Sequence, residues 1–532
     1  MSIPHNGLRD PEKETKDDYD ARVGSIDQGF RDEHTAYGVA VDEKGHTVLE
    51  GTFDPVYEAK ARVLNRAIQD IGMGAYQWQL FVVIGFGWAS DNMMPIVTSL
   101  ILPVIAKEFN PVHKEFLPLA QNLGLLAGAV FWGLGADVIG RKIGFNLTLG
   151  ITAVFAMIAA SSPNFAAIAV FDALWSFGVG GNLPIDSAIF LEFLPASHQY
   201  LLTVLSVDWA LAQVVATLIA WPLLGTLTCS DAETCTRSQN MGWRWYVITM
   251  GGILLIMFII RFIFFHIYES PKFLMGKGKE EEAVRVVHEV ARRNGKTVNL
   301  TVDDLKACEP EGYVGRTDAT EALRRSLLKR VNMSHVRSLF STPRIAFSTS
   351  MIMLIWLIIG LAYPLYNGFL PLLVSNSGSS TYITYRNMLI IAVLGVPGAI
   401  IGAILSEWRF MGRKGVLAMS TALTGVFLLC NTTARTNPNA QLGWNCAYNF
   451  FSTICYAILY AYTPEVFPTF SRGTGNALTA SCNRVMGVMA PVIGIYAKAG
   501  TWVPVYAAGA MFIAAGLLAL ILPFESRGKA SL

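Results

Sequence analysis

The chain has 532 residues, of which 53% are hydrophobic and only 15% are charged, whereas about 25% charged residues is usual for soluble domains. Its formal net charge of +2 gives no basic signature, which argues against a nucleic-acid partner. The seven cysteines include no CxxC pair and no metal-ligand spacing, so we expect neither a metal site nor a cofactor.

The first 76 residues are predicted to form a cytosolic tail. Residues 1 to about 53 are polar and rich in charged side chains, a composition typical of disordered segments. From Asp54 onward, apolar residues recur at helical spacing until Gly72 and Gly74, which predicts an amphipathic surface helix. No signal peptide precedes the first apolar segment, so the first spanning helix is expected to direct membrane insertion.

Apolar segments long enough to cross about 30 Å of hydrocarbon follow, six before a polar interval and six after it. The sequence therefore predicts an all-α membrane protein with about twelve transmembrane helices in two six-helix bundles. The predicted parts are an N-terminal bundle 77–266, a cytosolic linker 267–343, a C-terminal bundle 344–524 and a cytosolic tail 525–532. The spans are predicted near 78–105, 116–136, 144–161, 164–191, 201–225, 244–266, 344–374, 385–406, 415–431, 442–463, 473–497 and 502–523.

The distribution of basic residues predicts the orientation of these helices. Clusters such as Arg292-Arg293 in the interval 267–343 share a face with the loop that contains Arg141-Lys142, and the opposite loops hold fewer basic residues. The positive-inside rule therefore places both termini and the interval in the cytosol. Cys229 and Cys235 then fall in an outer loop, where the oxidising environment permits a disulfide between them.

Three charged motifs recur in the same order in the two halves, the third being Glu269-Ser270-Pro271-Lys272, repeated as Glu525-Ser526-Arg527-Gly528. The first is Gly133-Leu-Gly-Ala-Asp137-Val-Ile-Gly140-Arg141-Lys142, and its weaker repeat is Leu405-Ser-Glu407-Trp-Arg409-Phe-Met-Gly412-Arg413-Lys414. The second is Glu192-Phe-Leu-Pro195, repeated as Glu465-Val-Phe-Pro468. This recurrence predicts a duplicated bundle of membrane helices, which is a transporter architecture.

The first loop motif resembles that of the major facilitator superfamily, which reads Gly-x-Leu-Ala-Asp-Arg-x-Gly-Arg-Lys. Within the superfamily, the chain resembles the sugar-porter clan and, more closely, its synaptic vesicle glycoprotein-like branch. Sequences with these motifs are common among fungal transporters. The closer resemblance rests on segments 71–78, 88–94, 178–184 and 462–468. The loop residues that match are Gly133, Ala136, Asp137, Gly140, Arg141 and Lys142, while Gly135 and Val138 depart from the pattern.

The resemblance implies that a solute binds between the two bundles near mid-membrane and that the halves rock about it. Two departures bear on the solute and on coupling. Sugar porters usually carry Gln-Gln-x-Ser-Gly in the seventh helix, but residues 361–368 have a different sequence, which counts against a hexose. Asp172 stands where these proteins usually have an Arg, so their usual Asp–Arg coupling pair cannot be assumed.

Ionisable residues within apolar segments are the strongest candidates for the transport site, because a charge at the bilayer centre costs at least about 2.5–3.5 kcal/mol. Asp91 and Arg484 lie at similar depth on helices of opposite halves, and if they approach each other, Arg484 holds Asp91 ionised. The segments hold four acids and one deep base, and either a carboxylate binds a proton or a cationic solute supplies the missing charge. Arg484 alone could instead hold an anionic solute. The predicted substrate and proton site comprises Asp91, Asp172, Asp186, Asp208, Gln213, Tyr363, Asn367 and Arg484.

The charged motifs are predicted to form a gate on the cytosolic face. By resemblance they form a latch that holds the outward-open state, whereas solvated loop charges would contribute under about 1 kcal/mol. We expect Arg141 to lie near Glu192, and Arg413 or Arg472 to lie near Glu465. The predicted gate comprises Asp137, Gly140, Arg141, Glu192, Glu407, Arg413, Glu465 and Arg472.

These features predict a secondary active transporter of a small polar or charged solute, coupled to protons. A passive facilitator of sugars or organic ions and a non-transporting nutrient receptor are the alternatives. No nucleophile–base set or zinc-protease motif is present in the sequence, so we expect no enzyme. The expected partners are the solute, protons and the lipid bilayer, with the chain acting as a monomer in the plasma membrane.

Overall fold

The computed structural model describes residues 55–195, 198, 201–229, 233–309, 336–337, 339–376, 380–406, 411–434, 437–467, 472–497 and 501–524. Every long element in these ranges is a helix. The α-helices are α1 Pro55–Ile71, α2 Ala75–Phe109, α3 Phe116–Ile139, α4 Arg141–Ala159, α5 Phe165–Phe193, α6 Leu201–Val204, α7 Val207–Thr226, α8 Gly242–Ile259, α9 Pro271–Gly276, α10 Glu280–Arg293, α11 Val302–Lys306, α12 Pro343–Asn367, α13 Leu370–Asn376, α14 Thr381–Ser406, α15 Gly412–Asn431, α16 Pro438–Val466, α17 Arg472–Ala497 and α18 Val503–Ile521.

Eleven segments of the described chain are long and apolar enough to cross a membrane. The long helix α16 is not among them, although it has 29 residues. Polar side chains such as Asn445 and Asn449 lie within it and lower its hydropathy. All twelve predicted spans nevertheless coincide with long helices. Helix α16, whose polar residues lower its hydropathy, contributes to the cavity described below.

Small residues allow neighbouring helices within the first half to approach closely. A side chain at Gly124 or Gly128 of α3 would collide with the backbone of Ala173 or Phe177 of α5. Small residues four apart on one helix face are the usual means of close packing between membrane helices. The α3–α5 contact therefore depends on these two glycines.

The region between the halves contains the amphipathic helix α10. It begins with three glutamates and ends with two arginines, an order that complements the helix dipole. Its buried residues, such as Val287, belong to one hydrophobic cluster with Leu64 of α1. The amphipathic helix predicted before the first span is therefore packed against the linker.

Polar contacts fix the linker to the beginning of the first spanning helix. The Asn294 side chain accepts a hydrogen bond from the backbone N–H of Tyr76 at 3.0 Å and donates one to Oε1 of Gln77 at 2.7 Å. Nζ of Lys296 donates to the carbonyl of Ile71, the last residue of α1, at 2.6 Å. These bonds satisfy backbone groups at helix ends that have no partner within their helix.

Candidate solute cavity and ion pairs

A cavity of about 220 Å³ lies between the two halves. Helices α2, α3 and α7 line it on one side, and α12, α14, α16 and α17 line it on the other. Five of the eight predicted site residues contribute to its wall, namely Asp91, Gln213, Tyr363, Asn367 and Arg484. Asp172, Asp186 and Asp208 do not line it.

One ion pair joins the two halves across this cavity. Nη2 of Arg484 in α17 donates to Oδ1 of Asp91 in α2 at 2.9 Å. The Asp91 side chain is 12% exposed and the Arg484 side chain 20% exposed. The condition considered from their similar depth is therefore met in this structure, and both charges remain accessible from the cavity.

The second half supplies tyrosine and asparagine side chains whose orientation is fixed by hydrogen bonds. Nδ2 of Asn367 donates to the hydroxyl of Tyr448 at 2.7 Å, and Nδ2 of Asn449 donates to the carbonyl of Ile391 at 2.8 Å. The rings of Tyr363 and Tyr456 meet edge to face with centroids 5.0 Å apart. This wall therefore offers aromatic faces and oriented amide oxygens.

Aromatic side chains from both halves meet at the cavity. The rings of Trp209 in α7 and Tyr460 in α16 are 4.6 Å apart. Trp88 of α2 stacks on Trp209 at 5.2 Å, and Trp356 of α12 lies 4.8 Å from Tyr460. This cluster is a second contact between the halves, beside the Asp91–Arg484 pair.

Asp172 is buried in a site of its own between α2 and α5. Thr98 and Ser176 each donate a hydroxyl hydrogen bond to Oδ1 of Asp172 at 3.2 Å. Its other oxygen, Oδ2, has no hydrogen-bond partner among the described residues. This carboxyl group therefore contacts two hydroxyl groups and lies away from the cavity.

Asp186 pairs with Arg261, a residue that the sequence interpretation missed. Both side chains are 0% exposed, and the guanidinium also lies over the ring of Phe145 at 3.0 Å. Arg261 belongs to a π-helical turn, Ile260–Phe264, that ends the sixth span. The expectation of one deep base was therefore wrong, because this buried pair adds a second. Its position at the end of an apolar segment was the available signal.

Asp208 lies at the beginning of α7, where an acidic side chain complements the positive end of the helix dipole. Its Oδ2 faces Gly85 of α2, close enough for an added Cβ there to collide with it. No ion pair to Asp208 is found within the described ranges. Asp208 therefore neighbours the first span but does not reach the cavity wall.

The first two charged motifs form matching structures in the two halves. Arg141 pairs with Glu192, and Arg413 pairs with Glu465, as expected from the sequence. The glycines before these arginines, Gly140 and Gly412, both have positive φ, at 113° and 61°. Each ion pair joins residues of one half, so neither contact bridges the two.

The side chains of three predicted gate residues lie outside the described part of the structure. Asp137 lies in α3 and Arg472 begins α17, but their side chains lie outside the described part of the structure, as does Glu407 entirely. Glu269, which was not among the predicted gate residues, accepts hydrogen bonds from the backbone N–H groups of Arg141 and Lys142. It therefore caps the N-terminus of α4.

Comparison with known proteins decides the family. The family description "Major Facilitator Superfamily" matches residues 80–491. The chain belongs to the major facilitator superfamily. The "MFS siderochrome iron transporter 1" of Ceriporiopsis subvermispora is 51% identical over 91% of this chain and 94% of its own length.

Other similarities agree with the predicted branch and fold. The synaptic vesicle 2-related protein of Rattus norvegicus is 22% identical over 96% of this chain and 88% of that protein. Among solved structures, the proton:xylose symporter XylE from E. coli has a TM-score of 0.63 and 15% identity. The match covers 86% of this chain and 98% of that structure, and at this identity it shows the fold alone.

Side chains also connect the two halves at the end of the molecule that lies opposite the charged motifs. The hydroxyl of Tyr385 in α14 donates to the carbonyl of Leu100 in α2 at 2.7 Å. Nζ of Lys107 contacts Oγ1 of Thr381 at 3.5 Å and the carbonyl of Cys229 at 3.3 Å. A disulfide joins Cys229 to Cys235 in the adjacent loop. The Tyr385–Leu100 and Lys107–Thr381 contacts join the two halves at that end, whereas the disulfide lies within the first half.

Proposed function

We propose that this superfamily member is a secondary active transporter that moves a small polar or charged solute by alternating access, with proton binding at Asp91 coupling the cycle. The solute occupies the cavity between the halves, and the halves move about it. Entry of the solute separates Asp91 from Arg484, and the released carboxylate takes up a proton.

The observation that carries this proposal is the Asp91–Arg484 ion pair. Its two members belong to opposite halves and both border the cavity. A contact that must break when the halves separate links the charge state of Asp91 to conformation, which is the requirement for coupling. A pair buried within one half, such as Asp186 with Arg261, cannot report on the separation of the halves in this way.

A bulky iron chelate is a second candidate solute, because the relative that is 51% identical is named as a siderochrome iron transporter. The cavity of about 220 Å³ favours a smaller solute, since sites for drug-sized ligands usually enclose about 300–1,000 Å³. Both candidates are therefore included in the test.

The test begins with a thermal-shift screen of the purified protein against sugars, organic acids, vitamins, amines and ferric chelates, because binding raises stability by mass action. The solute that stabilises most is then offered to proteoliposomes with and without an imposed pH gradient. We expect accumulation above the outside concentration only with the gradient. Equal uptake under both conditions would support the passive facilitator, and binding without uptake would support the receptor.

A further inference from the structure

The charges that border the cavity restrict the solutes that it can hold. Asp91 and Arg484 are the only charged residues in the described lining, and they cancel. The remaining polar lining consists of amide, hydroxyl and indole groups. A solute that binds here therefore meets one positive and one negative group, each of which already has a partner.

The cost of an uncompensated charge distinguishes the possible occupants. Breaking an ion pair in a poorly solvated site and leaving one member alone is destabilising, because that charge then has no partner. A cation that binds Asp91 leaves Arg484 alone, and an anion that binds Arg484 leaves Asp91 alone. A neutral solute leaves the pair intact and gives it no reason to separate. A zwitterion satisfies both members without a proton.

One kind of bound solute both separates the ion pair and brings in a proton while the site keeps no net charge. If a carboxylate replaces Asp91 at Arg484 and Asp91 binds one proton, the site is neutral before and after. The balance is one ionised Asp91, one Arg484 cation, one solute anion and one proton, giving a neutral Asp91 acid and an Arg484–carboxylate pair. We propose that the transported solute is a monovalent organic carboxylate that enters with one proton. This inference rests on the proposed function.

The cavity wall suggests the body of this anion. Tyr363, Tyr456, Tyr460 and Trp209 line the same cavity as Arg484. Such ring clusters favour flat, apolar partners that stack or meet edge to face. Arg484 can bind a carboxylate with two parallel hydrogen bonds, which is the strongest arrangement for this pair. A small aromatic monocarboxylate satisfies both requirements.

Other ionisable groups near Asp91 also affect its proton. Arg484 of α17 pairs with it, and Tyr460 of α16 and Asp186 of α5 interact with it electrostatically. Asp186 is itself paired with Arg261 and sealed from the cavity, and Tyr460 carries no charge at neutral pH. Arg484 is therefore the partner whose loss changes the charge state of Asp91.

The test uses one ring in four charge states, measured with purified full-length protein. Nicotinate is the anion and nicotinamide the neutral isostere; 1-methylnicotinamide and 1-methylnicotinate, both methylated on the ring nitrogen, are the cation and the zwitterion. We expect nicotinate to stabilise the protein most in a thermal-shift assay. Calorimetry in buffers of different ionisation enthalpy should show uptake of about one proton per bound nicotinate, with affinity falling about tenfold per pH unit where empty Asp91 is ionised.

Two variants separate the roles of the pair. Asp91→Asn imitates the protonated acid, so it should bind nicotinate without proton uptake and without this pH dependence. Arg484→Gln should weaken nicotinate binding by about 10–100-fold. The double variant, Asp91→Asn with Arg484→Gln, leaves no unpaired charge and should fold and also fail to bind the anion. Matched controls are Asp303→Asn and Arg285→Gln, which change exposed residues outside the cavity.

Stronger stabilisation by the neutral, cationic or zwitterionic ring would overturn the inference, as would anion binding without proton uptake or no binding by nicotinate. These failures are distinguishable from failure of the proposed function. Proton-driven accumulation of a neutral solute would refute only the inference that the solute is an anion. If no bound solute were accumulated, the proposal of proton-coupled transport would be refuted.

Discussion

Asp91 and Arg484 are 393 positions apart in the chain, yet they form a hydrogen bond of 2.9 Å across the cavity between the two halves. The other deep pair, Asp186 with Arg261, lies within the first half and is sealed. The two pairs therefore have different expected roles. The pair that borders the cavity can respond to a solute, whereas the sealed pair holds helices of one half together.

The sealed pair gives a prediction about stability. Arg261→Met should lower the free energy of unfolding by about 3–5 kcal/mol, because Asp186 is then buried without a cation. The double variant Asp186→Leu with Arg261→Met should recover most of this loss, since it removes both charges. Thermal unfolding followed by tryptophan fluorescence measures both. A double variant no more stable than Arg261→Met would contradict this account.

The close approach of Asp186 to α2 gives a second prediction. A methyl group at Gly87 would collide with Oδ2 of Asp186, so Gly87→Ala should destabilise the protein by about 1–3 kcal/mol. Gly252→Ala is the matched control, because nothing lies within 4 Å of an added Cβ there and alanine favours a helix. The control should unfold at or above the wild-type temperature. Equal effects at both positions would show that this contact is unimportant.

Lys60 should hold the N-terminal helix α1 to the linker. It pairs with Glu280 and Glu309, and Lys60→Met should increase protease cleavage or hydrogen exchange in α1. We expect a cost of about 1–3 kcal/mol for undocking this helix. Lys306→Met changes an exposed lysine and should have little effect. Similar exchange in both variants would refute the docking role.

This contact also predicts a pH dependence. Burial lowers the pKa of Lys60, but the hydrogen bonds to Glu280 and Glu309 raise it more, so the pKa lies above its usual value. A raised lysine pKa stabilises the fold at every pH below the unfolded value, and the stabilisation disappears as pH rises through the folded value. As pH rises from neutral, the protection of α1, measured relative to the intrinsic exchange rate at each pH, should therefore fall only in strongly alkaline solution, and a loss of protection near neutral pH would contradict the pairing.

The charged motifs give a prediction about turnover. Arg141 pairs with Glu192 next to the turn at Gly140, remote from the cavity lining. Arg141→Gln should therefore slow transport several-fold while leaving the solute Kd nearly unchanged, because it alters the balance of conformations and not the site. Binding by calorimetry and transport rates in proteoliposomes check the two quantities. Unchanged transport would leave only the solvated-loop interpretation.

Much of the fold follows from the sequence because the signals are local. Apolar length predicts each spanning helix, and the repeated motifs predict the duplication. The same motifs anticipated the Arg141–Glu192 and Arg413–Glu465 pairs, since helix ends adjacent in a duplicated bundle bring them together. The similar depth of Asp91 and Arg484 within their helices made their contact a hypothesis, and the helix packing decides that it forms.

Other parts of the site depend on helix rotation and tilt, which the sequence does not specify. Asp172, Asp186 and Asp208 lie in helices of the first half, but all three turn toward α2 and not toward the cavity. Arg261 lies near the end of a strongly apolar segment, where its depth could not be distinguished from a surface position. Its pairing with Asp186 becomes evident only when the packing of α5 against the sixth span is known.

The most direct test of the account is proton-driven accumulation by Asp91→Asn in proteoliposomes, with Asp303→Asn as the exposed control. The neutral amide cannot exchange a proton, so the variant should still bind solute and exchange it across the membrane. It should no longer concentrate solute above the outside level under an imposed pH gradient, whereas the control should do so as the wild type does. Undiminished proton-driven accumulation by Asp91→Asn would contradict the assignment of the coupling proton to the Asp91–Arg484 pair.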